Sequence, residues 1–305
     1  MKRAIITGAT GAIGSALVRE LISRNIEVLV LCRADSNRID RIPEHPLVRK
    51  IFCDLRNLDQ VENTTGYTYD VFYHFAWRGT IGPERNDMYL QNENVKNSLD
   101  AVRLAQRFGC HTFIGAGSQA EYGRVEGLLG PNTPTNPETG YGIAKLCSGQ
   151  MTRELAHSLG IRHIWTRILS VYGPYDGERT MVMSVINSLC HHTVPKCTKG
   201  EQEWDYLYSK DAARAFRMLG ENGVDGKTYV LGSGSIQPLA EYIKAICSAA
   251  APDIEADFGA IPYAQKQVMY LGANISELQE DTGFTPAYSF EEGIRETVQW
   301  YKENY

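Results

Sequence analysis

Tyr141 and Lys145 are the two residues whose types and spacing point most directly to chemistry. They lie four positions apart in the segment Tyr-Gly-Ile-Ala-Lys at the predicted start of a helix, so both side chains project from one helical face. A free tyrosine phenol has a pKa of about 10. A nearby ammonium favours the tyrosinate form and lowers that pKa. The pair is therefore predicted to act as a general acid and base near neutral pH.

Ser118 is a third candidate for the same reaction centre. It lies in the segment Gly-Ala-Gly-Ser-Gln-Ala-Glu-Tyr-Gly, just after a predicted strand. Open α/β sheets place their ligands at the carboxyl ends of strands. The hydroxyl is therefore predicted to hydrogen-bond the oxygen of a reacting carbonyl or carbinol. The alternative is an ordinary turn serine.

A glycine-rich turn joins the first predicted strand to the first predicted helix. Its sequence Gly-Ala-Thr-Gly-Ala-Ile-Gly lets main-chain amides approach a pyrophosphate, and the helix N-terminus adds partial positive charge. The turn therefore predicts a dinucleotide cofactor, and the alternative is a plain strand-to-helix turn. The residues assigned to cofactor binding here are Gly8, Thr10, Gly11, Ala12, Ile13 and Gly14.

The end of the second strand bears on the choice between NAD and NADP. An acidic residue there would bind the ribose 2′-hydroxyl, but the chain has Cys32-Arg33. Arg33 can pair with a 2′-phosphate, so the sequence favours NADP(H). NAD is the alternative, with Arg33 a solvated loop charge and Asp35 on the ribose. Asp54 and Leu55, after the third strand, are predicted to contact the adenine, although an aspartate at a strand end is also a common turn residue.

The elements that must position these residues alternate between strands and helices through the first two thirds of the chain. Short apolar runs predict strands, and a period near 3.6 predicts the helices between them. Strands are expected at 4–6, 28–31, 48–52, 71–75, around 112–114 and at 164–169, and helices at 13–22, 85–108 and 141–159. This order predicts an α/β fold, a Rossmann-like doubly wound parallel sheet covered on both faces.

The alternation ends after the segment Tyr-Gly-Pro at 172–174. Helices are expected at 181–189 and 211–219, a further strand at 227–231, and a last helix behind the capping box Ser-Phe-Glu-Glu at 289–292. We expect an NAD(P)-binding Rossmann domain at 1–170 plus about 209–235. A smaller C-terminal α/β substrate lobe is expected at 171–208 and 236–305.

Composition argues against several classes of protein. The 305 residues are 43% hydrophobic and 22% charged, as in ordinary globular proteins, and a net charge of −5 argues against nucleic-acid binding. Seven cysteines without framework spacing fit a reducing compartment, and no paired cluster predicts a metal site. No apolar run approaches the ~20 residues of a membrane helix, and the N-terminus resembles a strand rather than a signal peptide. We expect a cytoplasmic protein that does not bind membranes.

Together these segments resemble the extended short-chain dehydrogenase/reductase superfamily, in its NAD-dependent epimerase/dehydratase family. The resemblance covers nearly the whole chain and includes the segments TGATGAIG, HFA, GSQAEYG, YGIAK, RILSVYGP and SFEEGIRETVQWY. It implies that Ser118, Tyr141 and Lys145 are catalytic and that Lys145 also bonds the nicotinamide ribose. It also implies a nucleotide-sugar substrate and a homodimer formed through the 85–108 helix, although that amphipathic helix could also simply cover the sheet.

The resemblance assigns further residues around the cofactor. Phe75 and Ala76 are expected to lie along the cofactor, and Asn94 is expected to support the site from the long helix. Ser170 stands where many relatives carry an asparagine near the phosphates of the sugar nucleotide. His74 ends a strand and is expected to be a packing residue rather than a catalyst.

Two departures from the family's pattern bear on the reaction and the substrate. Sugar-nucleotide 4,6-dehydratases carry an Asp-Glu pair directly after the position of Ser118, whereas this chain has Gln119 and Ala120, which disfavours dehydration. Trp204 stands where many relatives have an arginine that grips the nucleotide phosphates. The residues expected to contact the substrate are Trp77, Arg78, Arg85, Gln119, Ser170, Arg179 and Trp204.

Three hypotheses for the function follow. The first is NADPH-dependent reduction of the C4 ketone of an NDP-4-keto-6-deoxyhexose, since the chain is most similar in style to bacterial 4-ketoreductases such as the CDP-abequose synthases. The second is an NAD-dependent nucleotide-sugar 4-epimerase that uses the same residues. The third is a non-catalytic cofactor-binding regulatory protein, which the presence of both Tyr141 and Lys145 disfavours.

Overall fold

The computed structural model describes residues 1–305. Fifteen strands occur in chain order: β1 (Arg3–Thr7), β2 (Glu27–Cys32), β3 (Val48–Phe52), β4 (Val71–His74), β5 (Thr112–Ser118), β6 (Leu128–Leu129), β7 (Arg162–Ile168), β8 (Ser170–Tyr172), β9 (Lys196–Cys197), β10 (Glu203–Trp204), β11 (Tyr206–Tyr208), β12 (Thr228–Leu231), β13 (Gln237–Pro238), β14 (Asp257–Phe258) and β15 (Tyr270–Ala273). The α-helices are α1 (Ala12–Ser23), α2 (Met88–Arg107), α3 (Gly140–Ser158), α4 (Met181–Cys190), α5 (Ser209–Asn222), α6 (Leu239–Ala250), α7 (Ser276–Thr282) and α8 (Phe290–Asn304).

Seven parallel strands form the main sheet, in the order β12-β7-β5-β4-β1-β2-β3. The order reverses direction between β1 and β4, which is where open α/β sheets bind their ligands. The predicted Rossmann-like doubly wound sheet is therefore confirmed. Every strand expected from an apolar run overlaps an observed strand of this sheet.

The two faces of the sheet are covered by different helices, as the alternation of side chains along β1 shows. Ile6 is fully buried in the cluster that contains Leu17 of α1 and Leu219 of α5. Ile5 is fully buried in the opposite cluster, together with Val102 of α2. Successive strand residues point to opposite faces, so a continuous apolar run such as that of β1 suits a strand that is buried on both sides.

The long helix begins later than predicted. The sequence favours a helix from Arg85, but residues Pro83–Asn86 form a 3-10 turn and α2 begins at Met88. The side chain of Asp87 accepts hydrogen bonds from the N–H groups of Tyr89 and Leu90 and so caps the helix there. Residues before Met88 are thereby left free to form a loop beside the cleft.

The C-terminal part of the chain builds a smaller layer. A four-stranded sheet has the order β13-β10-β15-β6, and α4, α6 and α8 share an apolar cluster with members such as Ile186, Ile243 and Ile294. The predicted capping box at Ser289 and Glu292 opens α8. Strand β6 belongs to the small sheet although it lies within residues 1–170, and the domain boundaries stay a prediction. None of the helices has both the length and the apolar character needed to cross a membrane.

Candidate active site

A cleft of about 410 Å³ opens at the carboxyl ends of β1, β4 and β5. It brings together residues that lie far apart in the sequence. From the predicted set, the cleft is lined by Gly8, Gly11, Ala12, Ile13, Gly14, Phe75, Trp77, Ser118, Tyr141 and Lys145. The glycine turn and the Tyr-Lys pair therefore face the same space.

The glycine turn is shaped by close backbone contacts. Gly8 has a φ of +76°, and a Cβ there would lie 2.7 Å from the Ala76 nitrogen. A Cβ on Gly14 would lie 2.3 Å from the Gly8 carbonyl oxygen, so neither position accepts a side chain. Gly11 is different, because the nearest atom to its Cβ is that same oxygen at 3.8 Å. The space beside Gly11 is open toward the cleft.

The N-terminus of α1 fits an anionic group. Gly11 is its N-cap, no side chain caps it, and no acidic residue lies in its first turn. The first N–H groups of a helix have no intrahelical partner, and they carry partial positive charge. Together with the open space at Gly11, this arrangement fits the pyrophosphate of a dinucleotide. Thr10 lies behind the turn, where its carbonyl accepts a hydrogen bond from Arg41.

The residues predicted for the adenosine end lie outside the cleft. Arg33 is exposed and its Nε is 3.7 Å from Asp35, so the two residues that the sequence offered as alternatives pair with each other. Asp54 accepts hydrogen bonds from the backbone and guanidinium of Arg56, and the side-chain bond is the main cause that lowers the pKa of Asp54. Leu55 begins a 3-10 segment, Leu55–Gln60.

His74 is a packing residue, as the sequence predicts. It is 3% exposed, with Nδ1 2.9 Å from the Thr7 hydroxyl and Nε2 3.3 Å from the Ser98 hydroxyl. Burial lowers its pKa to about 3, so the ring is neutral at physiological pH. The next residues differ from each other, since Phe75 lines the cleft and packs on Phe216 whereas Ala76 donates its N–H to Thr7.

Ser118 is the last residue of β5 and is oriented by the turn that follows it. Its hydroxyl accepts a hydrogen bond from the Ala120 N–H, and its own N–H donates to Glu121 at 2.8 Å. Glu121 is fully buried and also pairs with Arg167 at 2.8 Å. This carboxylate therefore points away from the cleft and fixes the backbone behind Ser118.

The direction expected for the pKa of Tyr141 is wrong. Burial raises the pKa of the phenol, and the hydrogen bond to Ser118 opposes that shift only in part. The Lys145 ammonium makes its hydrogen bond elsewhere: its Nζ donates to the Ala116 carbonyl at 2.6 Å and is 5.8 Å from the Tyr141 ring centroid. Burial also lowers the pKa of Lys145 to about 7. A shared helical face brings the two Cβ atoms together, but the long lysine side chain extends past the tyrosine.

Two of the predicted substrate residues lie against Tyr141. The indole of Trp77 meets the phenol ring edge-on, with centroids 6.1 Å apart, and Lys145 Nζ is 3.7 Å from the Trp77 centroid. The guanidinium of Arg85 lies over the phenol ring, 4.4 Å from its centroid. The Tyr141 ring is thus held between an aromatic side chain and a cation.

The other predicted substrate residues are placed further out. Arg78 is exposed and pairs with Glu93 at 3.1 Å, and Asn94 is buried beneath it, bonding both the N–H and the carbonyl of Arg78. Trp204 donates its indole N–H to the Ser170 hydroxyl at 2.8 Å, so these two side chains form a pair. Gln119 is half-buried in the turn after β5, and Arg179 is exposed before α4.

Several cleft residues were missed by the sequence analysis. Asp176 is the most polar of them, and burial raises the pKa of its carboxyl to about 6. It follows the segment at which the strand-helix alternation ends, and that break was the only signal of its place. Thr80 also lines the cleft, and so do the small or apolar residues Ala116, Gly117, Ile168, Leu169 and Val171.

A larger cavity, of about 520 Å³, lies on the far side of α1. Its walls come from α1, α5 and α8 and include Tyr175 and Trp300. Some of its charged groups are paired with each other, as in the contact of Lys210 with Glu296. The cavity contains neither the glycines of the turn nor the Tyr-Lys pair, so the smaller cleft is the candidate active site.

Comparisons with known proteins agree with this architecture. The family model described as "NAD dependent epimerase/dehydratase family" matches residues 4–232. A dTDP-glucose 4,6-dehydratase of Neisseria meningitidis serogroup B is 27% identical, over 100% of this chain and 94% of the relative. A UDP-N-acetylglucosamine 4-epimerase from Methanobrevibacter ruminantium M1, solved with UDP-N-acetylmuramic acid, has a TM-score of 0.89 at 22% identity and covers 100% of this chain and 99% of that one. RMD from Pseudomonas aeruginosa, complexed with NADPH, has a TM-score of 0.83 at 17% identity with both chains fully covered.

Proposed function

The chain belongs to the NAD-dependent epimerase/dehydratase family, and we propose that it uses NADPH to reduce the C4 ketone of an NDP-4-keto-6-deoxyhexose. The observation that carries the proposal is the composition of the cleft. Ser118, Tyr141 and Lys145 share it with the glycine turn, while Gln119 and Ala120, directly after Ser118, add no acid or base. The cleft's carboxylate, Asp176, lies after β8 and accepts hydrogen bonds from the Gly177 N–H and the Thr180 hydroxyl. Reduction of a ketone needs one proton donor, whereas removal of water across two carbons needs a further acid and base.

The nearest carboxylate in sequence does not replace the missing pair. Glu121 is fully buried and its oxygens are used by Arg167, by the indole N–H of Trp165 and by the Ser118 N–H. Breaking such a buried pair is costly, since the partner charge would be left unpaired. The sequence relatives named as dehydratases support a nucleotide-sugar substrate for this chain, and the residues after Ser118 argue for a different reaction on it.

The proposed mechanism assigns one task to each residue. Ser118 and Tyr141 bind the ketone oxygen, and Tyr141 gives it a proton. The first-turn N–H groups of α1 would hold the pyrophosphate of the cofactor, and Lys145 would bond its nicotinamide ribose. A reduced nicotinamide, when bound, supplies hydride to the carbon. Water exclusion by the apolar walls of the cleft strengthens these electrostatic contacts.

The protonation state of Tyr141 suits reduction, which needs a proton donor at the ketone oxygen. Burial raises the pKa of the phenol, so it keeps its proton at neutral pH, as a free tyrosine also does. An epimerase must begin with tyrosinate, because its first step removes the proton of the C4 hydroxyl. The same residues serve both reactions, and one observation keeps the 4-epimerase with NAD as a second candidate. Asp35 lies 3.7 Å from Arg33 and partly neutralises the charge that would select a 2′-phosphate.

A substrate panel tests the proposal. The purified protein is mixed with NADPH and with CDP-, dTDP-, GDP- or UDP-linked 4-keto-6-deoxyhexoses, and the loss of NADPH absorbance is followed. The parent NDP-hexoses are incubated with NAD⁺ in parallel. We expect consumption of NADPH with at least one 4-keto sugar and no 4-keto product from the parents. Dehydration of a parent sugar contradicts the proposal, and interconversion of C4 epimers without added cofactor establishes the epimerase instead.

We also propose that the protein is a cytoplasmic homodimer. The exposed apolar residues Tyr89 on α2 and Ile143 and Met151 on α3 support a partner surface, since Tyr89 is 91% exposed. The molar mass in solution, measured by light scattering, is expected to be twice that of the 34.1 kDa chain. A mass equal to one chain would contradict this assignment.

A further inference from the structure

We infer that Arg85 is a positioning residue that acts through Tyr141, holding a permanent positive charge over the phenol ring and stabilising the phenolate formed on proton transfer. The inference rests on the proposed function, in which Tyr141 gives its proton to the substrate oxygen. As the carbon receives hydride, the C=O π bond opens onto oxygen, which takes the phenolic proton. The tyrosinate that remains regains a proton from solvent after the product leaves.

The contact between Arg85 and Tyr141 is direct. The guanidinium carbon is 4.4 Å from the phenol centroid, well inside the distance at which a cation interacts with an aromatic face. One guanidinium nitrogen donates to the Thr80 carbonyl at 2.7 Å. Its hydrogen-bond partner is therefore a backbone carbonyl rather than a carboxylate, and the positive charge is not neutralised.

The loop that carries Arg85 is fixed relative to Tyr141. Gln91, which is 1% exposed, donates to the carbonyls of Gly79 and Glu84 at 2.8 and 3.0 Å. At the other end of the loop, Asn86 accepts a hydrogen bond from the Gly140 N–H at 3.0 Å. Gly140 immediately precedes Tyr141, so the backbone of the loop is tied to the start of α3, and the bond to the Thr80 carbonyl orients the guanidinium.

Arg85 supplies a positive charge at the phenol throughout the pH range, which Lys145 cannot do. Burial lowers the pKa of Lys145 to about 7, and its Nζ is turned toward Ala116 and Trp77. A guanidinium stays protonated at all pH values of interest. Above neutral pH, Arg85 is therefore the cation that remains at the phenol.

The other groups that face Tyr141 do not replace Arg85 as the cation at the phenol. Glu121, behind Ser118, raises the pKa of the phenol, but it is paired with Arg167. His74 bonds Thr7 and Ser98 and is neutral, because burial lowers its pKa to about 3. Ser118 contributes an uncharged hydroxyl. Burial raises the pKa of Tyr141, and the positive charge of Arg85 acts in the opposite direction and lowers it.

The experiment compares Arg85→Gln with Arg85→Lys and with the control Arg103→Gln, which removes the same charge from an exposed position on α2. The ionisation of Tyr141 is isolated as the tyrosinate difference spectrum between each protein and its Tyr141→Phe counterpart. This readout needs no substrate. We expect Arg85→Gln to raise the Tyr141 midpoint by about half to one pH unit. Arg85→Lys is expected to restore part of the shift, and Arg103→Gln to leave the midpoint unchanged.

Activity gives the second readout. With a turned-over 4-keto sugar, we expect kcat of Arg85→Gln to fall on the order of 3- to 10-fold, with its pH profile displaced in the same direction as the spectroscopic midpoint and NADPH binding unchanged. An unmoved midpoint in folded Arg85→Gln overturns the inference, and so does a rise in KM alone, which would make Arg85 a substrate-binding residue. A shifted midpoint in a protein that reduces no sugar supports the inference and contradicts the proposed function.

Discussion

Replacement by alanine is predicted to have different effects at two glycines of the same turn, on stability at one and on cofactor binding at the other. At Gly14 the new Cβ would lie 2.3 Å from the Gly8 carbonyl oxygen and 2.8 Å from the Ala9 Cα. Both neighbours are backbone, so α1 or the turn must move. Overpacking of this kind costs about 1–3 kcal/mol. We expect Gly14→Ala to lower the midpoint of thermal unfolding in the absence of cofactor.

Gly11→Ala is expected to leave the fold nearly intact and to weaken the binding of the cofactor. Its Cβ meets nothing closer than 3.8 Å, and its φ of −85° suits alanine. Alanine is a poorer N-cap than glycine, which costs less than about 1 kcal/mol. The methyl group would occupy the open space that we assign to the pyrophosphate. Hydrogen bonds to a charged group contribute about 1.5–3 kcal/mol each, so the loss of one weakens binding by roughly 10- to 100-fold.

The assay measures NADPH and NADH affinity by fluorescence titration, together with thermal unfolding of the unliganded proteins. Gly11→Ala should keep its unfolding midpoint and lose affinity, whereas Gly14→Ala should lose both. Wild-type affinity for both cofactors in Gly11→Ala would refute the reasoning, because the space beside that residue would then serve no ligand.

Three further outcomes are expected. Tyr141→Phe should reduce kcat by at least about 10²-fold, the low end for a general acid, while the cofactor still binds; full activity would exclude Tyr141 as the proton donor. Arg33→Ala should weaken NADPH binding by roughly 1.5–3 kcal/mol with little effect on NADH binding, and Asp35→Asn should strengthen NADPH binding by releasing Arg33. Equal effects on the binding of both cofactors would show that Arg33 does not recognise the 2′-phosphate. Burial lowers the pKa of Lys145 to about 7, whereas the unfolded chain keeps that proton up to about pH 10.4. The folded protein therefore bears the cost of a buried ammonium below about pH 7 and loses that cost as the pH rises. The stabilisation of Lys145→Met relative to the natural chain should therefore be greatest below about pH 7 and should fall as the pH rises from about 7 to about 10.4; a stability difference that does not vary with pH would contradict this sign.

The sequence predicts the elements of the site well where local patterns decide them. The strands of the main sheet are short apolar runs buried on both faces, and the glycine turn follows from its spacing at the end of β1. These features placed Ser118, Tyr141 and Lys145 at one edge of the sheet, and the structure brings them into one cleft. The capping box before α8 was equally predictable from the sequence, because its hydrogen bonds join residues three positions apart.

The contacts that the sequence did not predict are those between distant segments. Asp176 reaches the cleft because the chain folds back over α1 after β8, and no periodic pattern marks that return. The pairing of Lys145 with the Ala116 carbonyl depends on side-chain length and on a strand 29 residues earlier. The place of Arg85 over Tyr141 depends on where α2 begins, which Asp87 sets by capping. These are properties of tertiary packing, and helical spacing alone could not give them.

The most direct test of the central claim follows a deuterium atom. The protein is incubated with a nucleotide-linked 4-keto-6-deoxyhexose and NADPH that carries deuterium at the transferable position of the nicotinamide, and the product is examined by NMR. We predict that deuterium is found on C4 of a single product epimer, and that Tyr141→Phe forms that product at least about 10²-fold more slowly. Deuterium at any other sugar carbon, or a product that contains none, would contradict a C4 ketoreductase.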